Sequence, residues 1–214
     1  MRSRFDEQLS LLNRKMTQMG AECEELIAFV AKALLNGDVE RAGKVKEQGR
    51  EIDEMEREIE AICLKLLLQQ QPVAKDLRVI SAALKMITDM ERIGDQAEDI
   101  AEIIPFLLGR TGAEFADFKP MAEATCKMVT DSMDAYVRQD LDLAKAVIKH
   151  DDIVDDAFGR MKDMLIKMIS ENKADGEYAV DLLMIAKYFE RIGDHAVNIA
   201  EWVEFSVTGV HKGV

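Results

Sequence analysis

Apolar residues recur along this chain every three to four positions, which is the spacing of one buried face of an α-helix. The periodicity breaks at five places rich in glycine, proline, asparagine or aspartate: residues 36–38, 71–73, 109–112, 139–140 and 172–176. Between these breaks lie six segments of about 20 to 35 residues, each long enough for a helix of several turns. The pattern therefore predicts an all-α fold.

The six segments divide into two sets of three, because the third segment recurs in the sixth. The run Glu-Arg-Ile-Gly-Asp at residues 91–95 returns at 190–194, and ten of the twenty residues that start at Leu84 are identical in that register. Further upstream Asp53 matches Asp155, with an offset of 102 rather than 99 residues. Such a repeat indicates a tandem duplication. We therefore predict two similar three-helix bundles, residues 1–108 and 109–214, each able to bury its own core.

One face of the third and sixth segments changes from apolar to oxygen-bearing halfway along. The side chains concerned form one helical stripe in each repeat, and the candidate ligands on it are Glu91, Asp95 and Asp99, then Glu190, Asp194 and Asn198. Glu98, Glu102 and Glu201 lie on the same faces. Carboxylates stacked in this way repel one another unless water or a cation neutralises them. Oxygen ligands at this density suit hard or borderline cations, namely Mg²⁺, Mn²⁺, Ca²⁺ or iron. The stripe therefore predicts a metal site in each repeat.

Two further features favour metal sites over acidic faces that are merely solvated. Gly94 and Gly193 stand within the stripes, although glycine inside a helix costs about 1 kcal/mol relative to alanine. Their recurrence indicates the close approach of another backbone or of a ligand cluster. Asp53 and Asp155, in the second segment of each repeat, are placed to complete the sites from across the bundle, although such residues are more often simply exposed.

Charge and composition narrow the classes of function. The chain has 28 Lys and Arg against 41 Asp and Glu, a formal net charge of −13, so phosphate backbones and anionic lipid heads repel it. We expect no nucleic-acid partner, and no membrane insertion, since no uncharged apolar stretch approaches the roughly 20 residues of a spanning helix. Three scattered cysteines within apolar patterns indicate buried thiols in a reducing compartment. The start turns acidic before any apolar run, so we expect no signal peptide and a cytoplasmic protein.

No catalytic motif is present in the sequence. It lacks a glycine-rich phosphate loop, a Gly-x-Ser-x-Gly turn and a His-Glu-x-x-His motif, and we predict that the protein is not an enzyme. Two alternatives stay open. One is a metal-dependent hydrolase or oxidase that uses the carboxylate clusters, and the other is a helical scaffold whose acidic stripes are only solvated.

Residue by residue, the whole chain resembles the PhoU family of accessory regulators of phosphate uptake. The most specific matches are the run QQPVAKDLR at residues 70–78, the two Glu-Arg-Ile-Gly-Asp runs, and Thr208 with Gly209 near the end. The resemblance implies two tandem antiparallel three-helix bundles side by side, similar to spectrin repeats. It also implies multinuclear metal sites at the Glu-x-x-x-Asp motifs of both copies. Their ions would be divalent or trivalent, with iron, manganese, magnesium and zinc as the choices.

The resemblance also implies a function and partners. Family members are negative regulators of the phosphate-starvation response, and they link the ATPase subunit of the phosphate ABC transporter to a phosphate-sensing histidine kinase. We therefore expect a homodimer that lies at the inner membrane only through these protein partners. One departure from the family is Gly49, where the second copy has Asp151 and the family usually has an acid. We expect this change to leave the first site with fewer ligands or weaker binding.

Overall fold

In the part of the chain that the structure describes, the protein folds into seven α-helices and one short 3-10 turn. The computed structural model describes residues 2–70, 72–110, 112, 115, 117–171 and 175–210. Within these ranges the elements are α1 (Arg2–Asn36), α2 (Val39–Ala42), α3 (Val45–Gln70), α4 (Ala74–Ile103), the 3-10 turn (Ile104–Leu107), α5 (Phe118–Arg138), α6 (Leu141–Ser170) and α7 (Gly176–Thr208). No strand occurs among them, which confirms the all-α prediction. Parts of three predicted breaks, at residues 71, 111 and 172–174, lie outside the described residues.

The helices form two three-helix bundles that lie side by side. In the first repeat α1, α3 and α4 pack against one another, and in the second α5, α6 and α7 do the same. The bundles meet where α4 packs on α7 and where α1 packs on α5. Buried apolar side chains from both repeats join into one continuous core, so neither bundle buries its apolar surface alone. None of the described helices is long and apolar enough to span a membrane.

The two repeats differ at the start of their second helix. Asp38 caps α2 by accepting a hydrogen bond from the Arg41 backbone N–H at 2.9 Å, and Asp140 caps α6 in the same way through two N–H groups. The pattern predicts one continuous segment after each cap, and α6 is continuous. In the first repeat that prediction is wrong, because the chain leaves the helix at Gly43 and α3 begins only at Val45. The second repeat has Lys145 at the position of Gly43, and lysine has the higher helix propensity.

Helices α4 and α7 run antiparallel and are related by an approximate two-fold axis. Asn198 of α7 donates a hydrogen bond to Asp89 of α4, with 2.9 Å between nitrogen and oxygen. Asp99 of α4 is the register partner of Asn198, and Tyr188 of α7 is the register partner of Asp89. Asp99 and Tyr188 also lie close enough to interact electrostatically. The contact between positions 89 and 198 is thus matched by the reciprocal contact between positions 99 and 188. The acidic stripes therefore lie on either side of a shared central helix pair.

Candidate functional site

The first repeat has an acidic groove between its second and third helices. We define this first groove by side chains of α3 and α4: Asp53, Glu56, Glu91, Asp95 and Glu98. They come together because α3 and α4 pack as antiparallel neighbours and both present acids on the facing edge. Burial is the largest cause that raises the pKa of Glu91, and repulsion from Asp95 adds to it. The pKa values of Glu56 and Glu98 are raised in the same way, by burial and then by nearby acids such as Asp53.

Arginine partly neutralises the first groove. The Arg92 guanidinium is 2.8 Å from Asp95 Oδ2 and 3.4 Å from Glu91 Oε2. These pairs are half-exposed, so each stabilises the fold by about 1 kcal/mol at most. Arg92 thus pairs with two of the five carboxyl groups that define the groove.

The second repeat has the corresponding groove between α6 and α7. We define this second groove by Asp151 and Asp155 of α6 and by Glu190 and Asp194 of α7. Burial, and then repulsion from Asp155, Asp194 and Glu190, raises the pKa of Asp151 to about 6. Oxygen Oδ1 of Asp151 is buried without a hydrogen-bond partner, which is unfavourable for a carboxylate.

The neighbour of Glu190 is a lysine. Lys187, one helical turn earlier on α7, forms an ion pair with Glu190, and its ammonium group also lies 5.5 Å from the centre of the Phe158 ring. A single cation thus offsets one acid of the second groove. Asp151 is left facing three other carboxylates.

The two mid-helix glycines allow the neighbouring helices to approach. A methyl group placed on Gly94 would lie 3.4 Å from Ile52 Cδ1, and one placed on Gly193 would lie 2.9 Å from Asp151 Oδ1. In both repeats the second helix therefore packs directly over the glycine of the third. The contact at Gly94 is an ordinary one with an apolar side chain, and the contact at Gly193 is a tight one with a carboxylate. The close approach of another backbone or of a ligand cluster stays a prediction.

The structure separates the predicted site residues into two groups. Six of them line the two grooves: Asp53, Glu91, Asp95, Asp155, Glu190 and Asp194. The other two, Asp99 and Asn198, lie at the contact between α4 and α7. Asn198 donates to Asp89, and Asp99 is close to Arg191 of the other repeat. The stripe on each helix is thus wider than the groove, and its edge belongs to the contact between repeats.

Three groove acids are outside the predicted set of ligands, although Glu98 lies on the predicted acidic face and Asp151 is expected as the acid that Gly49 replaces: Glu56, Glu98 and Asp151. A signal existed for Asp151, which stands four residues before Asp155 and so shares its helix face. Glu98 is seven residues after Glu91 and returns to the same stripe two turns later. The position of Glu56 was not distinguishable from that of its exposed neighbours without the packing of α3 on α4.

The donor chemistry of both grooves fits a hard cation, although the side chains are spread along the grooves. Among the described residues no three His, Cys, Asp or Glu side chains converge on one point as a formed metal site. Every donor in the grooves is nevertheless a carboxylate oxygen, which is the ligand type of magnesium, manganese and iron. The buried, unpartnered Oδ1 of Asp151 is the atom that a cation would satisfy best.

Comparison with known proteins identifies a family. The family described as PhoU domain matches residues 16–104 and again 118–203. A phosphate-specific transport system accessory protein PhoU homolog of Clostridium acetobutylicum is 36% identical over 96% of this chain and 94% of its own length. The corresponding protein of Zymomonas mobilis is 34% identical over 96% of this chain and 87% of its own length.

Solved structures agree with the fold. The crystal structure of PhoU from Pseudomonas aeruginosa matches with a TM-score of 0.91 and 32% identity, over 96% of this chain and 100% of that one. A phosphate transport system regulatory protein from Streptococcus pneumoniae matches with a TM-score of 0.89 over 97% and 98% of the two chains. At 23% identity this second match bears on the fold alone.

Proposed function

This chain belongs to the PhoU domain family, and on that premise we propose that it is a negative regulator of phosphate uptake and of the phosphate-starvation response. It acts by contact with the ATPase subunit of a phosphate ABC transporter and with a phosphate-sensing histidine kinase, and it holds the kinase off when phosphate is plentiful. The observation that supports this most strongly is the family match across both repeats. A relative named as an accessory protein of phosphate-specific transport is similar over nearly the whole chain.

Charge supports contact with proteins rather than with lipid or nucleic acid. At a net charge of −13 the surface is repelled by phosphate-rich polymers and by anionic membranes. Basic surfaces on partner domains would be attracted to it and oriented by it. In this proposal the protein is cytoplasmic, works as a homodimer and reaches the membrane only through its partners.

The two acidic grooves belong to the same proposal as binding sites for metal ions. Asp53, Glu91 and Asp95 would supply oxygen ligands in the first groove, and Asp151 with Glu190 and Asp194 would supply them in the second. A bound cation supplies positive charge that cancels the repulsion among these carboxylates. The side chains of the grooves would then be fixed in one arrangement, and the surface formed by the paired second and third helices would be rigid for docking.

The regulatory role is tested with an alkaline phosphatase reporter of the starvation response. A strain that lacks this gene should show high reporter activity in abundant phosphate, and the intact gene should restore low activity. Low activity in the deletion strain would contradict the regulatory role. The metal role is tested in the same strain with the double variant Glu91→Gln and Glu190→Gln, which keeps side-chain size but removes one charge from each groove.

A matched control separates the grooves from general acidity. Glu54 and Asp156 occupy equivalent positions of α3 and α6 and are exposed outside the grooves. The double variant Glu54→Gln and Asp156→Asn should regulate like the intact protein and keep its metal content. The groove variant should lose bound metal and leave the reporter high. Equal metal content and equal regulation in both double variants would refute the role of the grooves.

A further inference from the structure

One acidic residue lies on the third helix in the first repeat and on the second helix in the second repeat. In the register of the second helices Gly49 corresponds to Asp151, and in the register of the third helices Glu98 corresponds to Val197. The first repeat therefore lacks the acid on its second helix but has one on its third. The second repeat has the reverse arrangement. Each repeat retains one carboxylate from this pair of positions.

The side chain of Glu98 fills the space that an acid at position 49 would need. A methyl group placed on Gly49 would lie 1.9 Å from Glu98 Oε1 and 2.9 Å from Glu98 Cδ. These distances are far below van der Waals contact, so any side chain at residue 49 would occupy the place of the Glu98 carboxyl group. Gly49 is buried under that group. Glycine at 49 therefore leaves room for the Glu98 carboxyl group in this position, and a side chain at 49 would make that group move aside.

The two carboxylates share one pair of equivalent neighbours. Glu98 is repelled by Asp53 and Asp95, and Asp151 is repelled by Asp155 and Asp194. Asp53 is the register partner of Asp155, and Asp95 is the register partner of Asp194. Glu98 and Asp151 thus face the same pair of acids although they come from opposite sides of their grooves.

We propose that Glu98 supplies to the first groove the metal-ligating carboxylate that Asp151 supplies to the second. This inference rests on the proposed metal-binding role of the grooves. It replaces the expectation that Gly49 leaves the first site short of a ligand, because the missing donor comes from α4 instead of α3. The first groove therefore binds metal without an acid at position 49.

Lys46 marks a second difference between the grooves. Its ammonium group is close to Glu98 and 3.9 Å from Glu102 Oε1, whereas the second repeat has Ile148 at the same register position. A cation that enters the first groove must share Glu98 with this lysine. Asp151 faces no such competitor among its described neighbours.

The test measures Mn²⁺ binding to the full chain after removal of metal with a chelator. To isolate the first groove, all variants carry Glu190→Gln and Asp194→Asn, which disable the second. In that background Glu98→Val, which copies the second repeat, should weaken Mn²⁺ binding by about tenfold or more, since loss of an outer-shell partner alone costs 10–100-fold. Adding Gly49→Asp to Glu98→Val gives the first groove the residues that the second repeat has at these two positions, and this variant should bind Mn²⁺ again.

Controls keep the result interpretable. Glu102→Gln removes an exposed acid one turn further along α4 and should leave binding unchanged. Glu98→Gln keeps the shape of the side chain and should lose binding like Glu98→Val, and helicity by circular dichroism shows that both variants fold. If Glu98→Val and Glu98→Gln bind Mn²⁺ as tightly as Glu102→Gln, the inference is wrong while the metal role stands. If the unaltered chain binds no Mn²⁺, the metal role and this inference both fail.

Discussion

Asp151 is the carboxylate of the grooves that the fold perturbs most. Its Oδ1 atom is buried without a hydrogen-bond partner and lies over Gly193, where no side chain separates α6 from α7. Burial, and then repulsion from Asp155, raises the pKa of Asp151 from 3.8 to about 6. Ionisation of this group therefore opposes folding when no cation is bound.

The shifted pKa of Asp151 predicts how stability depends on pH in the metal-free protein. Because the folded-state pKa lies above the unfolded value, the penalty is absent below about 3.8 and complete above about 6. In the presence of chelator, the free energy of unfolding should fall as pH rises through this window. Asp151→Asn should raise the free energy of unfolding at pH near 7 by on the order of 1 kcal/mol, after allowance for solvent screening.

Urea unfolding with chelator at pH near 5 and near 7 measures this effect of Asp151. Asp152→Asn is the control, since Asp152 is the next residue and is exposed. The Asp152 variant should follow the unaltered protein at both pH values. A loss of stability in Asp151→Asn at pH near 7 would contradict the prediction, because it would mean that the charged form stabilises the fold.

At the scale of the helix, one glycine explains why the second helical segment is interrupted in the first repeat and continuous in the second. Gly43 ends α2 in a right-handed conformation, with φ −61°, and a side chain there would have only ordinary contacts with backbone oxygens of Glu40 and Val39. The break is thus not forced by crowding. It follows from the low helix propensity of glycine at a position where the second repeat has lysine.

Alanine at Gly43 should therefore stabilise the protein. The change restricts the unfolded chain without straining the fold, so the free energy of unfolding should rise by about 0.4–1 kcal/mol. Gly37→Ala is the contrasting variant. Gly37 has φ +61°, and a methyl group there would lie 3.3 Å from Gly109 Cα, so this variant should be less stable than the unaltered protein. Thermal unfolding of both variants gives the comparison, and equal shifts in the same direction would contradict it.

The sequence predicts the helices better than it predicts the edges of the site. Periodicity located the six segments, and the repeated run of residues 91–95 located the helix that lines each groove. The same stripe could not show that Asn198 turns toward Asp89, since that contact depends on the packing of α4 on α7. It also could not show that Glu98 takes the space above Gly49, because register alone does not give the distance between neighbouring helices.

At the scale of the whole molecule, the shared core predicts that the two repeats unfold together. The bundles meet along two helix pairs and bury one continuous apolar cluster, so exposing one would expose part of the other. The single tryptophan, Trp202, reports on the second repeat, whereas helicity reports on both. Fluorescence and circular dichroism should therefore give the same midpoint in urea.

A variant at the interface sharpens this prediction. Asp89 accepts a hydrogen bond from Asn198 and lies 2.9 Å from His195 Nδ1, so Asp89→Ala removes these two polar contacts between α4 and α7. The midpoint should fall in both signals by the same amount, with a loss of about 1–3 kcal/mol. Two separate midpoints in the unaltered protein would show that the repeats unfold independently.

The approximate two-fold axis between α4 and α7 makes this chain equivalent to a dimer whose subunits have been fused. In a dimer of identical subunits each substitution occurs twice, and loss of an acid from one groove would remove it from both. Fusion removes that constraint. The first half can therefore carry Gly49 and Glu98 while the second half carries Asp151, so the molecule has the geometry of a symmetric assembly although its halves differ in sequence.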